Sequence, residues 1–306
     1  MKKLKKITVL LLALILVSAM TSCAKKQEKQ HIHKIGVVVY DLKDEQVQAF
    51  REYLEGYIAA NFSDVDFLYS SEVTTEEEEM EFLNSAIAEG VEGVLAFNSF
   101  DLEKEVSLCA ENGVYFIRPS STTAPEDFDK VADNPYFLGY FGPGSEIEYE
   151  AGYDMGAYFA DEQMSDSYFL LSGGAGTNVM HEQRAEGMLD ALQEAYGVQF
   201  EQSSAELASA SEPVSVEAGN LKVTVFPGYI GVPDVGEKAV AEFEKDPAGV
   251  VMSTIPVQAI ADSLGDASLG TVDCYTETNG ELFKNCNLKY LCGKYESIIG
   301  PAFAAM

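Results

Sequence analysis

Basic residues are scarce in this chain. Its 306 residues hold 20 Lys and Arg against 50 Asp and Glu, for a formal charge of −30. That balance disfavours nucleic acid, whose phosphates need cationic partners. It favours solubility outside the cell and says nothing about fold. Tryptophan is absent, histidine occurs three times and cysteine five times. After Cys23 the cysteines are Cys109, Cys274, Cys286 and Cys292, and none is spaced CxxC, which disfavours a metal site. Cys109 falls on an apolar helical stripe and reads as core; a Cys286–Cys292 disulfide stays open. No GxSxG elbow and no HExxH pair occurs, and only His181 is placed where a triad could use it. An enzyme is therefore not expected. "SGGAGT" (172–177) lacks both the GK[ST] ending and GxGxxG spacing, so it reads as a plain loop rather than a phosphate cradle. "HIH" (31–33) offers a metal two imidazoles but reads as a linker coincidence. No metal and no cofactor is expected.

Long apolar runs are missing too. The longest, "ITVLLLALILVSAM" (7–20), falls short of the roughly 20 residues of a spanning helix. Preceded by the lysines of "MKKLKK", it fits the core of an export signal. Met20-Thr21-Ser22 then sets small residues before Cys23. This resembles the lipobox of bacterial lipoproteins, with Met20 where that family usually has Leu. The resemblance implies cleavage before Cys23, a diacylglyceryl thioether on its sulfur, and lipid anchoring to the cell membrane on its outer side. Each buried CH₂ of such a chain contributes about 0.8 kcal/mol. The rival reading is a secretory signal with an incidental cysteine. Residues 1–22 are then signal and 23–33 a tether.

From Lys34 onward, β-branched runs alternate with helical patterns. "IGVVVY" (35–40) reads as a buried strand, and Val47, Phe50, Leu54 and Ile58 follow at helical spacing. "VDFLYS" (65–70) is a second strand, and Thr75 with Glu78 makes a capping-box pattern ahead of the next helix. "GVLAFNS" (93–99), a helix over 102–112 and "VYFIRPS" (114–120) continue the rhythm. "TTAPEDFDKVADNP" (122–135) interrupts it, and "YFLGYFGPG" (136–144) ends the first series. A second series repeats the plan: a helix capped by Ser145 and Glu148, then "SYFLLSGG" (167–174), a helix over 181–196 and "LKVTVFPGY" (221–229). A helix opened by Asp234 with Glu237, "GVVMSTIP" (249–256) and "GTVDCYTE" (270–277) complete it. Between them "EQSSAELASASEPVSVEAGN" (201–220) is expected as a polar surface insertion. Strands spaced by helices predict parallel sheets covered on both faces, an α/β class.

The order of these segments resembles the type I periplasmic-binding-protein superfamily, in its ribose- and galactose-binding branch. "KIGVVVYDLKDEQVQAFREYLEG", "EGVEGVLAFNSFD", "GYFGPGSEIEYEAGYDMGAYFAD" and "SGGAGTNVMHEQRAEGMLDAL" carry the likeness, which runs from about Lys34 to Met306. It implies two Rossmann-like lobes joined by a hinge: an N-terminal lobe over 34–143, a C-terminal lobe over 144–293, and a return crossing over 294–306. Relatives usually continue further, so the return reads as truncated. The implied function is capture of a small polar solute, a sugar or sugar derivative, by hinge closure. The implied partner is an ABC permease, and the receptor is a monomer. Without a helix-turn-helix ahead of Lys34, the related repressors are disfavoured. Two alternatives stay open: a sensory lipoprotein serving a membrane receptor kinase, and a nucleoside-binding member of the superfamily.

Ligands of open α/β sheets bind beyond the carboxyl ends of strands. After the first strand stand Asp41, Asp44 and Gln46, where sugar-binding relatives often carry a stacking Phe that "KDEQ" lacks. Asn98 follows the third strand, and Arg118 and Ser120 follow the fourth, Arg118 offering a fork of donors. In the second lobe the resemblance assigns Arg184 to the R-x-x-G-F arginine, and Thr254 and Thr276 to the places of a family Asn and Asp. Lys294 stands near a ligand-facing Gln of relatives. Each has a structural alternative: Arg184 paired with Glu182 or Glu186, Thr254 capping a helix after Pro256. The mix of cationic and hydroxyl groups points to a polar ligand, including a modified or acidic sugar.

Overall fold

The computed structural model of the chain describes residues 31–120, 123–162, 164–173, 179–285, 287–293 and 299–306. Cys23 with the export signal, residues 174–178 of the glycine-rich turn, Cys286 and Lys294 lie outside the described residues. Two sheets organise the rest. The first joins β1 (His33–Val38), β2 (Val65–Tyr69), β3 (Gly93–Ala96), β4 (Tyr115–Pro119) and β5 (Phe137–Phe141) in the order β2-β1-β3-β4-β5. Every pairing in it is parallel. Parallel neighbours need a crossover, supplied by α1 (Glu45–Asn61), α2 (Glu76–Ala88), α3 (Leu102–Glu111) and α4 (Pro125–Val131).

Local chemistry sets these boundaries. The Asp44 carboxylate accepts the backbone N–H groups of Gln46 and Val47 and so starts α1. Thr75 and Glu78 form both bonds of the capping box that opens α2. Strand alternation then divides the core. Ile35, Val37 and Val39 face Phe50, Leu54 and Ile58 of α1, while Val38 and Val94 face Leu83, Ala86 and Val106 of α2 and α3, with Cys109 fully buried among them.

In the second sheet β6 (Ser167–Ser172), β8 (Leu221–Pro227), β9 (Val250–Ser253), β10 (Ser268–Asp273) and β11 (Leu288–Gly293) run parallel, and β7 (Val214–Ala218) joins antiparallel. The order is β11-β10-β9-β6-β8-β7. One face carries α5 (Ser145–Asp161), α6 (Val179–Tyr196) and α7 (Ser204–Ala208); the other carries α8 (Pro233–Lys245) and α9 (Glu277–Lys284). Finally α10 (Ile299–Ala305) lies on the first sheet beside α1, with Ile299, Ala302 and Phe303 in that core. The chain thus passes to the second lobe between β5 and α5, and returns between β11 and α10.

Three sequence expectations need correction. The segment 201–220 is no surface insertion: Leu207 and Ala208 are buried in the second core, and β7 pairs along β8. Its Ser203–Glu206 capping box has the same spacing as the one read at Thr75. Hairpin pairing supplies backbone bonds that so polar a segment could not replace with apolar burial. Within 122–135, Pro125 heads α4, at a position whose N–H would have no helical partner anyway. Ser145 and Glu148 form no cap. Gly144 takes the cap position without a side-chain bond, and Glu148 turns into the core.

Its partner there is Arg184. The helices α5 and α6 touch backbone to backbone, since a Cβ on Gly152 would lie 1.9 Å from the Arg184 carbonyl oxygen and one on Gly187 would lie 2.2 Å from that of Tyr149. Only glycine permits that approach.

Candidate functional site

The carboxyl ends of the two sheets face one another. The β1–α1 turn of the first lobe meets the β10–α9 turn of the second. Gln46 Nε2 donates to Asp273 Oδ1 at 3.2 Å, and the Thr278 hydroxyl donates to the Glu45 carboxylate. The rings of Tyr40 and Tyr229 meet edge to face with centroids 5.9 Å apart. Cys274, next after β10, packs into the core of the first lobe.

Asp273 is the hub of this contact and is fully buried. Its Oδ1 also accepts the Cys274 backbone N–H at 2.6 Å, and its Oδ2 accepts from Asn279 Nδ2 at 2.7 Å and Gln258 Nε2 at 3.0 Å. Burial raises its pKa against the pull of those bonds. Gln258 Oε1 and Asn279 Oδ1 are buried beside it without hydrogen-bond partners, a rare and costly state for an amide oxygen.

A second polar group lies at the ends of β3 and β4. Glu79 and Glu105 both accept the Phe100 backbone N–H at 2.9 Å, and Glu105 also accepts that of Asp101 at 2.8 Å. Asn98 Nδ2 donates to Glu79 at 3.4 Å, which leaves its buried Oδ1 without a partner. Arg118 donates from Nη1 to the Thr123 hydroxyl at 3.1 Å, while its Nε is buried and unpartnered. Burial works against the charge of Arg118, whereas Glu105 and Asp127 support it. Ser120, the next residue but one, takes φ +54°, a left-handed turn uncommon for a side-chain-bearing residue. Beside this group opens a cavity of about 430 Å³, walled by Phe100, Asp101, Glu103, Arg118 and Asp127 of the first lobe and Val179 of the second.

The residues expected from sequence therefore separate. Gln46, Asn98 and Arg118 stand at the facing strand ends with unspent or cross-lobe hydrogen-bonding capacity, and Ser120 follows β4 beside them. Asp41 accepts the Lys43 N–H, and Asp44 serves as helix cap and acceptor for the Tyr40 hydroxyl at 2.9 Å. Thr276 caps α9 through the Asn279 N–H. Thr254 is fully buried; its hydroxyl accepts the Gly173 N–H at 2.9 Å instead of capping a helix, for only a 3₁₀ turn (Ala261–Ser263) precedes β10. Arg184 pairs neither with Glu182 nor with Glu186. Its Nε meets Glu148 at 2.5 Å and its Nη1 meets the Thr254 carbonyl at 2.8 Å, inside the second lobe. Its charge is thus held under α5, because Gly152 and Gly187 bring the helices that close.

Sequence reasoning passed over Glu79, Glu105, Tyr229, Gln258, Asp273 and Asn279. One of these was legible: Asp273 ends a strand at the position where ligands bind, yet the resemblance drew attention to Thr276. The two glutamates looked like ordinary solvated positions of charged helices. Among the described residues one His and carboxylate group of metal-binding size occurs, His31, His33 and Glu92, at the opposite end of the first lobe.

Glu79 yields a pH prediction. Burial first, then the neighbouring Glu105, pushes its carboxyl up to about 9, so it stays protonated at neutral pH. The folded chain then holds a proton that the unfolded chain releases, so stability falls as pH rises between about 4.5 and about 9. The slope is at most about 1.4 kcal/mol per pH unit. Asp273, also raised, acts with the same sign, whereas Glu78 and Glu206, held low by hydrogen bonds from Thr74 and Ser203, titrate below this range. Urea midpoints at pH 5.5 and 8 are expected to differ in the parent chain and to differ less in Glu79→Gln, the remainder belonging to the other raised carboxyls such as Asp273. An equal difference in both would assign the effect to general acidic repulsion.

No protein-family model matches the sequence, and no curated protein matches it. Solved structures do. A solute-binding protein of an ABC transporter from Burkholderia multivorans, with an unknown ligand represented as α-D-erythrofuranose, superposes with a TM-score of 0.67 at 15% identity, covering 90% of this chain and 92% of that one. The arabinose-binding component of an ABC transporter from Shewanella sp. ANA-3, bound to L-arabinofuranose, gives 0.64 at 15% identity over 89% and 84%. A putative LacI transcriptional regulator from Bacteroides fragilis gives 0.62 at 13% identity over 90% and 89%. Likeness at such identities concerns fold, and the fold is the two-lobe, mostly parallel α/β architecture of type I periplasmic-binding proteins.

Proposed function

We propose that this chain is an extracytoplasmic solute-binding lipoprotein, held to the membrane through Cys23, that captures a sugar or related polyol between its lobes for an ABC importer. One observation carries the reading: polar side chains of both lobes converge at facing strand ends, and several of their buried atoms have no partner. Gln46, Asn98 and Arg118 from one side and Gln258, Asp273 and Asn279 from the other offer the mixture of donors and acceptors that ring hydroxyls satisfy. Each lobe supplies part of the set, so a ligand binds the closed arrangement best and shifts the population toward it. Among the described residues no helix is long and apolar enough to cross a membrane. Asp101, Glu103 and Asp127 share the cavity with Arg118 and Lys130. That charge balance suits a neutral polyol better than an acidic sugar.

The test is a thermal-shift screen of the purified chain against pentoses, hexoses, inositols, sugar acids and nucleosides. Ligand at 100 times its dissociation constant adds about 2.7 kcal/mol of stability, so a neutral sugar or polyol should raise the melting temperature by several degrees. Shifts confined to nucleosides would move the reading to the nucleoside-binding branch. Absence of any shift across all five classes would reject solute capture of this kind.

A further inference from the structure

We infer that His31, His33 and Glu92 form a binding site for a divalent transition-metal ion of the zinc, copper and nickel group, at the end of the first lobe opposite the cleft. Sequence alone set the two histidines in a linker, because their third partner lies 59 positions beyond His33. In the fold, His31 Nε2 stands 2.5 Å from Glu92 Oε1 and His33 Nδ1 stands 2.8 Å from Oε2. One ligand atom from each residue falls within 4.8 Å of the others. Zinc bonds to imidazole nitrogen and carboxylate oxygen are about 2.0–2.2 Å, which places tetrahedral ligands about 3.4 Å apart. An ion therefore enters by replacing the two N–H hydrogen bonds, with small side-chain movements.

The backbone holds two of the three ligands in place. The His33 N–H donates to the Asp64 carbonyl at 2.8 Å, at the start of the β1–β2 pairing. The Glu92 N–H donates to the Lys34 carbonyl at 2.8 Å, and its own carbonyl accepts the Tyr115 N–H at 3.0 Å, so Glu92 is fixed between β1 and β4. His31 comes to the same side because successive residues of an extended chain alternate in direction, and its ring meets that of His33 edge on at 4.7 Å. Side-chain exposures of 68%, 50% and 44% for His31, His33 and Glu92 leave the remaining coordination positions to water. Imidazole nitrogen selects this group of metals over calcium and magnesium, which prefer oxygen.

The chain's acidic surface would collect any divalent cation weakly, and the test separates that from a site. The full chain, purified without a polyhistidine tag, is titrated with zinc by calorimetry in the presence of excess magnesium, and copper is added for electron paramagnetic resonance. One zinc per chain, resistant to magnesium, and a copper spectrum with two coupled nitrogens are expected. His31→Ala and His33→Ala should each weaken zinc binding at least about tenfold, with Glu92→Gln close behind. Circular dichroism checks that each variant folds; the two histidines are exposed, so their variants keep the readout if Glu92→Gln does not fold. Zinc uptake that magnesium abolishes, or that the His31→Ala/His33→Ala double variant retains, would overturn the site. Neither result depends on what the cleft binds.

Discussion

Replacing Glu148 by Ala is expected to destabilise the second lobe by about 3–5 kcal/mol, the cost of leaving a buried charge without its counterion. Glu148 and Arg184 are each 2% exposed and meet at 2.5 Å. The guanidinium is held from the other side by the Thr254 carbonyl. It cannot escape to water, because α5 and α6 are locked together at Gly152 and Gly187. Nor can the site collapse over the gap, for the same reason. Urea unfolding should show the loss as a lower midpoint at unchanged slope. Removing both charges with Glu148→Leu/Arg184→Met should recover most of it, since a buried ion pair is worth little more than apolar groups of like volume. A single variant within about 1 kcal/mol of the parent would mean that solvent reaches the guanidinium, and Arg184 would return as a ligand residue.

That pair also shows what could be read from the chain before folding. Local features were legible. Helical spacing at Val47, Phe50, Leu54 and Ile58, the Thr75–Glu78 capping box, and the β-branched strand runs each depend on neighbours within a turn or two. Their order carried the two-lobe architecture. What was misread depends on partners far away in sequence. Glu148 fits a capping box by spacing, and only Arg184, 36 positions later, draws it inward. The strand-end position of Asp273 was legible, but its role as hub was not, since Gln46 comes to it from the other lobe, 227 positions earlier. The segment 201–220 lacks apolar content, yet its edge strand is held by pairing with β8, a bond pattern that composition does not register. Glu79 and Glu105 sit on helices whose other faces are wet, so burial of these two carboxyls against Phe100 could not be inferred from charge pattern.

Arg118→Met should lower affinity for the best sugar of the proposed screen by at least about 30-fold, because truncating a buried hydrogen-bonding charge costs 2 kcal/mol or more. The side chain walls the cavity, and its buried Nε points at no acceptor in the chain. A ligand hydroxyl is the natural occupant of that donor. Loss of binding through unfolding is a separate matter, and the local chemistry argues against it. Glu79 is already protonated next to Arg118, and Glu105 is held by the N–H groups of Phe100 and Asp101. Neither carboxyl is left as an unsupported anion. The melting temperature without ligand should therefore move by only a few degrees, while the ligand-induced shift collapses. Arg118→Lys, which keeps the charge but loses the planar fork, should fall between the two. Equal affinity in Arg118→Met and parent would detach Arg118 from the cleft's work and leave recognition to the amides and carboxylate around Asp273.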